Sequence, residues 1–196
     1  MNFDDIFREL GGQAMLDREK ATHISILCAT LPARSLCVEI GVFCGASAAV
    51  MARSVDASCG LVHAIDPWIS DTQYAEPANK KFWEDDHRMD YVFRTATITL
   101  SAFNNVSMIR SKGEDVVDEY EDESIDLLHI DGNHTEAASL RDCKGWFPKV
   151  KQGGIIILDD LDWQELGELS QVKSIDYLSS VCQLTIYKGK WGIWKK

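Results

Sequence analysis

The chain has 196 residues, 45% of them hydrophobic and 26% charged, which suits one domain burying roughly 70% of the surface an unfolded chain of this size exposes. Its formal net charge of −11 argues against a nucleic-acid partner, because such binding relies on a clustered basic face. No segment approaches the ~20 apolar residues that cross a bilayer, and the acidic start MNFDDIFREL lacks the basic and apolar regions of a signal peptide, so a soluble cytoplasmic protein without a membrane partner is expected.

Apolar residues recur at helical spacing from Met15 to Leu31, and Pro32 ends the pattern, which predicts an N-terminal helix packed on a sheet. A strand follows at 36–40, then a helix at 46–54, a strand at 61–65 and another at 106–110. Between the last two, residues 79–103 read as a long helix carrying Phe82, Trp83, Met89, Tyr91 and Phe93. The preceding SDTQYAEPAN reads as an irregular loop over the rim, a candidate lid. Further on come a strand at 125–130, a helix over about 136–147, a strand at 154–158 and a helical or irregular stretch after Asp162. CQLTIY and WGIWKK, joined by Lys188, Gly189 and Lys190, read as an antiparallel hairpin. The alternation is that of βαβ units. It predicts a single α/β domain over 1–196, a Rossmann-like three-layer sandwich whose mostly parallel seven-stranded sheet ends in a C-terminal antiparallel hairpin.

Two features carry chemistry. In CVEIGVFCGAS, residues 37–47, a strand runs through a glycine turn into a helix, which lets backbone approach a ligand and aims a helix N-terminus at it. A dinucleotide fingerprint would need glycine where Phe43 stands, so NAD is disfavoured. The second feature is a pair of short Ile- and Leu-rich runs that end in acids: SIDLLHI at Asp131, and GGIIIL at Asp159 and Asp160. Ligands of open α/β sheets sit outside the carboxyl ends of the strands. If the two strands are neighbours, about 4.8 Å apart, these three carboxylates can share one hard cation, Mg²⁺ or else Mn²⁺ or Ca²⁺. His134 follows three residues after Asp131 and is a candidate base. The six cysteines show no Cys-x-x-Cys spacing and read as reduced, mostly buried thiols.

Glu39-x-Gly41-x-x-x-Gly45 followed by Ser47, with an acid at Asp66 ending the second strand, resembles the class I S-adenosylmethionine-dependent methyltransferases over most of residues 36–163. VEIGVFCGASAAVMAR is most similar to the first motif of the catechol O-methyltransferase type. HIDGNH with GGIIILDD resembles the metal-dependent sugar O-methyltransferases of macrolide and related pathways. The resemblance implies that backbone around Glu39, Gly41 and Gly45 wraps the methionine portion of S-adenosyl-L-methionine, with Ser47 donating to its carboxylate. Asp66 would accept the ribose hydroxyls, and Glu114, beside Gly113, would accept the adenine amine.

It further implies a divalent cation on Asp131, Asp159 and Asp160. The catechol enzymes have an amide at the position of Asp160 and a lysine at that of His134, so the acid and the imidazole here favour a sugar hydroxyl over a phenol. The chemistry needs a base, since an alcohol attacks a sulfonium methyl only as it loses its proton. Asp131 and His134 are the expected catalytic residues, the acceptor is a small molecule, and a homo-oligomer is compatible with the sequence. Alternatives are a catechol or phenol methyltransferase and a catalytically silent S-adenosylmethionine-binding module. Trp68 and Trp163 are candidate pocket walls, His129 reads as structural, Asp142 as packing behind the site, and Asp162 as a cap or a support.

Overall fold

In the computed structural model, which describes residues 3–70 and 85–196, seven strands form one sheet. In chain order these are β1 (Leu36–Ile40), β2 (Leu61–Ile65), β3 (Val106–Ile109), β4 (Ile125–Ile130), β5 (Val150–Leu158) and, after a small hairpin of β6 (Gln164–Glu165) and β7 (Glu168–Leu169), β8 (Gln183–Tyr187) and β9 (Gly192–Lys195). The spatial order is β3-β2-β1-β4-β5-β9-β8, parallel through β5, with β9 antiparallel to both of its neighbours. The order reverses between β1 and β4. Their carboxyl ends therefore open a crevice, the usual ligand position of such sheets.

Helices cover both faces. α1 (Phe3–Leu10), α2 (Arg18–Ala29), α3 (Ala46–Val55) and α4 (Asp86–Leu100) pack on one, burying Ile6, Ile24, Met51 and Val92. α5 (Gly113–Val116), α6 (Glu136–Trp146) and α7 (Val172–Val181) pack on the other around Cys143, Trp146 and Leu178. All six cysteines are free thiols, four of them buried. No helix among the described residues is long and apolar enough to cross a membrane.

The elements depart from the sequence reading at identifiable places. α2 starts at Arg18 rather than near Met15, because Asp17 accepts the Lys20 backbone N–H at 2.7 Å and caps the helix, while Met15 has a φ of +44°. α1 was not expected; its polar sequence buries only a short stripe through Ile6 and Leu10. Of the expected long helix, 86–100 is present as α4. Phe82, Trp83 and residues 71–79 of the candidate lid lie outside the described residues. β5 begins at Val150, earlier than 154, because a register shift against β4 absorbs a bend at Gly153, whose φ is +78°.

One glycine holds the site end of the sheet together. Gly41, just past β1, has a φ of +83°, and a Cβ there would lie 2.0 Å from the Asp131 carbonyl oxygen. This is backbone against backbone, so no rotamer change relieves it. The Gly41→Ala variant is expected to lose more than about 4 kcal/mol of stability or to fail to fold, as a denaturant melt would show. A variant as stable as the parent would mean that the β1 and β4 exits do not cross this closely.

Candidate active site

A cavity of about 590 Å³ opens at the carboxyl ends of β1, β4 and β5. Its walls include Gly41, Val42, Phe43, Ser47, Asp66, Glu114, Asp131, Asn133, His134, Asp142, Asp159, Asp160 and Trp163. The sheet ladder itself delivers the acids. The Asp131 N–H donates to the Ile40 carbonyl at 2.8 Å, and the Asp159 N–H donates to the Ile130 carbonyl at 3.0 Å, so pairing continues one residue beyond each strand. The expected neighbourhood of β4 and β5 is present.

His134 and Asp160 form a pair: His134 Nε2 lies 2.9 Å from Asp160 Oδ2 and 3.9 Å from Asp131 Oδ1. Burial alone would lower the imidazole's pKa, but the Asp160 contact and the two carboxylate charges outweigh it and raise it above the ordinary value. Asp160 is held correspondingly low; desolvation opposes the shift and His134 overcomes it. The Ser170 hydroxyl donates to the His134 carbonyl at 2.6 Å, and the Trp163 ring sits 5.1 Å from the imidazole. The loop that carries the β6–β7 hairpin thus folds back to hold the histidine in place. Thr135 caps α6 immediately after it, accepting from the Ala138 N–H.

The residue that sequence reasoning missed is Lys20. It lies on the buried stripe of α2 with Ala21, Ile24 and Cys28, and its side chain is only 4% exposed. Its ammonium is in direct contact with Asp159 Oδ2 and lies 3.6 Å from Asp131 Oδ2. It is not on the cavity wall; it backs the two carboxylates from the α2 side. The available signal was a lysine four residues before Ile24 and eight before Cys28, on the face that must enter the core.

Below the carboxylates, Glu39 and His129 are both fully buried, with Oε1 and Nδ1 2.7 Å apart. Burial pushes Glu39 up to about 8, against the Ser47 side chain, the Lys20 charge and the Ala48 backbone, and it pushes His129 down to about 3. At neutral pH, therefore, a protonated Glu39 donates to Nδ1, and the neutral imidazole carries its hydrogen on Nε2, facing Asp159 at 3.8 Å and Asp131 at 3.9 Å. The Glu39 side chain is not on the cavity wall, although Gly41 from the same backbone stretch is. The inward side of β1 at this register faces α3 and His129 instead. His129, expected to be structural, has that place.

The remaining expected residues divide. Asp66 lines the cavity, but its Oδ2 accepts the Val42 and Phe43 N–H groups at 2.9 and 3.0 Å and its Oδ1 accepts the Trp68 N–H at 2.7 Å. A carboxylate has about four acceptor directions, so this leaves one on Oδ1 for a ligand hydroxyl. Glu114 lines the cavity in an ion pair with Arg141, and Ser47 lines it on the first turn of α3. Gly45 and Gly113 are off the wall. Gly45 starts α3 with a φ of +88° beside Leu100, and a Cβ on Gly113 would meet Ile40 at 3.0 Å and Trp146 at 3.3 Å. Trp68 is buried and donates from Nε1 to the Phe43 carbonyl at 2.9 Å, so it supports the glycine turn rather than lining the pocket. Asp142 lines the wall, pushed up to about 7 by burial, whereas Asp162 is exposed.

The three acids do not present one free oxygen set. Among the described residues, the groups with ligand atoms within 4.8 Å of one another are His129 with Asp131 and Asp159, and Asp131 with His134 and Asp160. Lys20 already neutralises the first, and His134 itself pairs with the carboxylate of the second. The arrangement does not fit the all-oxygen, divalent-cation site expected on Asp131, Asp159 and Asp160.

Residues 38–161 match a family model described as a methyltransferase domain. Among solved structures, the O-methyltransferase NovP superposes with a TM-score of 0.67 at 17% identity, covering 93% of this chain and 81% of that one. The O-methyltransferase TomG from Streptomyces achromogenes, involved in tomaymycin synthesis and solved with S-adenosylmethionine, does so with a TM-score of 0.65 at 12% identity, covering 98% and 86%. At these identities the likeness is one of fold. A curated relative, an uncharacterized protein y4gI of Sinorhizobium fredii, is 28% identical over 74 residues, spanning 34% of this chain and 8% of its own length.

The buried pair gives the fold a pH dependence. Glu39, raised from 4.5 to about 8, contributes stability that is lost as pH climbs through that window, while His129, lowered from 6.5 to about 3, contributes stability that is lost as pH falls through its own. Above pH 6.5 only the Glu39 effect of the two remains. The melting temperature is therefore expected to fall between pH 6.5 and 8, and Glu39→Gln to flatten that fall, leaving the slopes from Asp142 and from His134, whose pKa is also raised. Equal slopes in parent and variant would show that Glu39 is ionised throughout.

Proposed function

Because the chain belongs to the methyltransferase-domain family, we propose that it moves the methyl group of S-adenosylmethionine to a hydroxyl oxygen of a small polar molecule, a sugar or glycan in particular. The observation that carries this reading is the His134–Asp160 pair on the wall of a cavity that also reaches the glycine turn of β1. A methyl donor and a proton acceptor are thereby given a common chamber.

The cavity fits such a donor on chemical grounds. Gly41 and Ser47 stand on the wall where β1 passes into α3, and the free acceptor direction of Asp66 suits a ribose hydroxyl. Gly41, Ser47, Asp66 and Glu114 are the residues that would hold it. When bound, the donor supplies an electrophilic methyl on a sulfonium.

His134 takes the proton of the acceptor hydroxyl at Nδ1, because its Nε2 hydrogen is donated to Asp160. Asp160 thereby sets the ring's tautomer and stabilises the imidazolium that forms, so proton transfer leaves no unpaired buried charge. Trp163, beside the imidazole, offers an apolar ring face on which a sugar can stack, and Asn133 and Asp142 offer polar contacts along the same wall. No step is assigned to a metal.

Transfer of label from S-adenosylmethionine to a panel of sugars, nucleotide sugars and phenols tests this reading. It predicts sugar acceptors and a His134→Gln rate lower by about 10²–10⁴-fold; transfer to phenols alone would change the acceptor class, and a variant at full rate would remove the base. The parent's rate is expected to rise with pH through the raised pKa of His134. In Asp160→Asn that limb should move to lower pH, because losing the carboxylate destabilises the imidazolium. A limb unmoved by the change would assign the titration to another group.

A further inference from the structure

We propose that Lys20 is the built-in counter-cation of the acidic rim: its ammonium takes up the two carboxylates, Asp131 and Asp159, that a divalent metal would need, and the site works without one. The catalytic consequence rests on the methyl-transfer reading above; the electrostatic one does not.

Geometry carries the assignment. Asp131 and Asp159 end adjacent parallel strands and face the same cavity, which is the arrangement that would hold a hard cation between them. The Lys20 ammonium reaches both from behind, in contact with Asp159 and 3.6 Å from Asp131. α2 fixes its approach, since Asp17 caps the first turn and Ala21, Ile24 and Cys28 bury the same face of the helix. A side chain 4% exposed cannot swing into water to make room, and a divalent ion added beside it would put like charges together where water screens them least.

The surroundings agree with one resident positive charge. His129 faces the pair from β4 at 3.8 and 3.9 Å, and Glu39 beneath it is taken up by the His129 Nδ1 at 2.7 Å, so Glu39 does not draw the ammonium away from the two carboxylates. Across the cavity, Asp160 is paired with His134. Three carboxylates thus meet one fixed ammonium and one imidazole that can hold a proton, so a dication is not required to make the rim stable. Lys20 touches no ligand from its place behind the wall. It acts by holding Asp131 and Asp159 in position and discharging them, and is a positioning residue.

The test reads metal binding directly, with no methyl donor or acceptor present, so a failure of the methyl-transfer reading does not bear on it. Mn²⁺ is titrated into the full-length protein and followed by the loss of the free-ion paramagnetic signal. The parent is expected to show no saturable binding below millimolar concentration. Lys20→Met, which keeps the apolar stem and removes the charge, is expected to bind Mn²⁺ at least tenfold more tightly, and the double variant Lys20→Met with Asp159→Asn to lose that gain. Lys20→Arg, which keeps the charge, should stay like the parent.

Sub-millimolar binding by the parent that disappears in Asp159→Asn would overturn the proposal, and it would do so even if Lys20→Met does not fold. So would a folded Lys20→Met that binds no better than the parent. In the transfer assay, the matching expectation is an unchanged parent rate with chelator present; a loss reversed by Mg²⁺ would count against it.

Discussion

The close crossing of the β1 and β4 exits is the constraint from which the rest of this structure follows. Gly41 lies so near the Asp131 carbonyl that no side chain fits between them, and the two strands continue to pair past their ends through Ile40 and Asp131. The same continuation from Ile130 to Asp159 locks β5 onto β4. The acids are thereby placed by backbone hydrogen bonds rather than by flexible side chains. Catalytic geometry set on strand ends is more exact than geometry set on loops alone.

Such convergence concentrates negative charge in a partly buried place, and the fold answers with groups of its own. Lys20 reaches in from the N-terminal helix, His134 comes from the start of α6, and Glu39 stays protonated beneath a neutral His129. Each partner arrives from a different segment of the chain. The rim is consequently assembled only when the helices on both faces have docked, which couples formation of the site to completion of the core.

Much of this was legible in the sequence. The β-run, glycine-turn and β-run-plus-acid patterns carry both a local period and a chemical group, so they located β1, β4, β5, the rim acids and His134, and the Lys188–Lys190 link marked the terminal hairpin. Side-chain direction was harder. Glu39 alternates along β1 with residues of the opposite face, and only the register against His129 shows that it points into the protein. Lys20 was invisible for another reason: its partners are more than a hundred residues away, and a lysine within a helical stripe reads as a solvated position until the stripe is known to be buried. α1 and the β6–β7 hairpin were too short and polar to show a period, and the Gly153 bend hid the first part of β5.

A crystal structure with S-adenosylhomocysteine bound is the most direct measurement of the central claim, that strand exits built around Gly41 hold a methyl donor against the His134–Asp160 pair. The account predicts the ligand in the 590 Å³ cavity, its ribose at Asp66 and its sulfur toward His134. A ligand bound elsewhere on the protein, or lying in the cavity with its sulfur turned away from the rim, would contradict it.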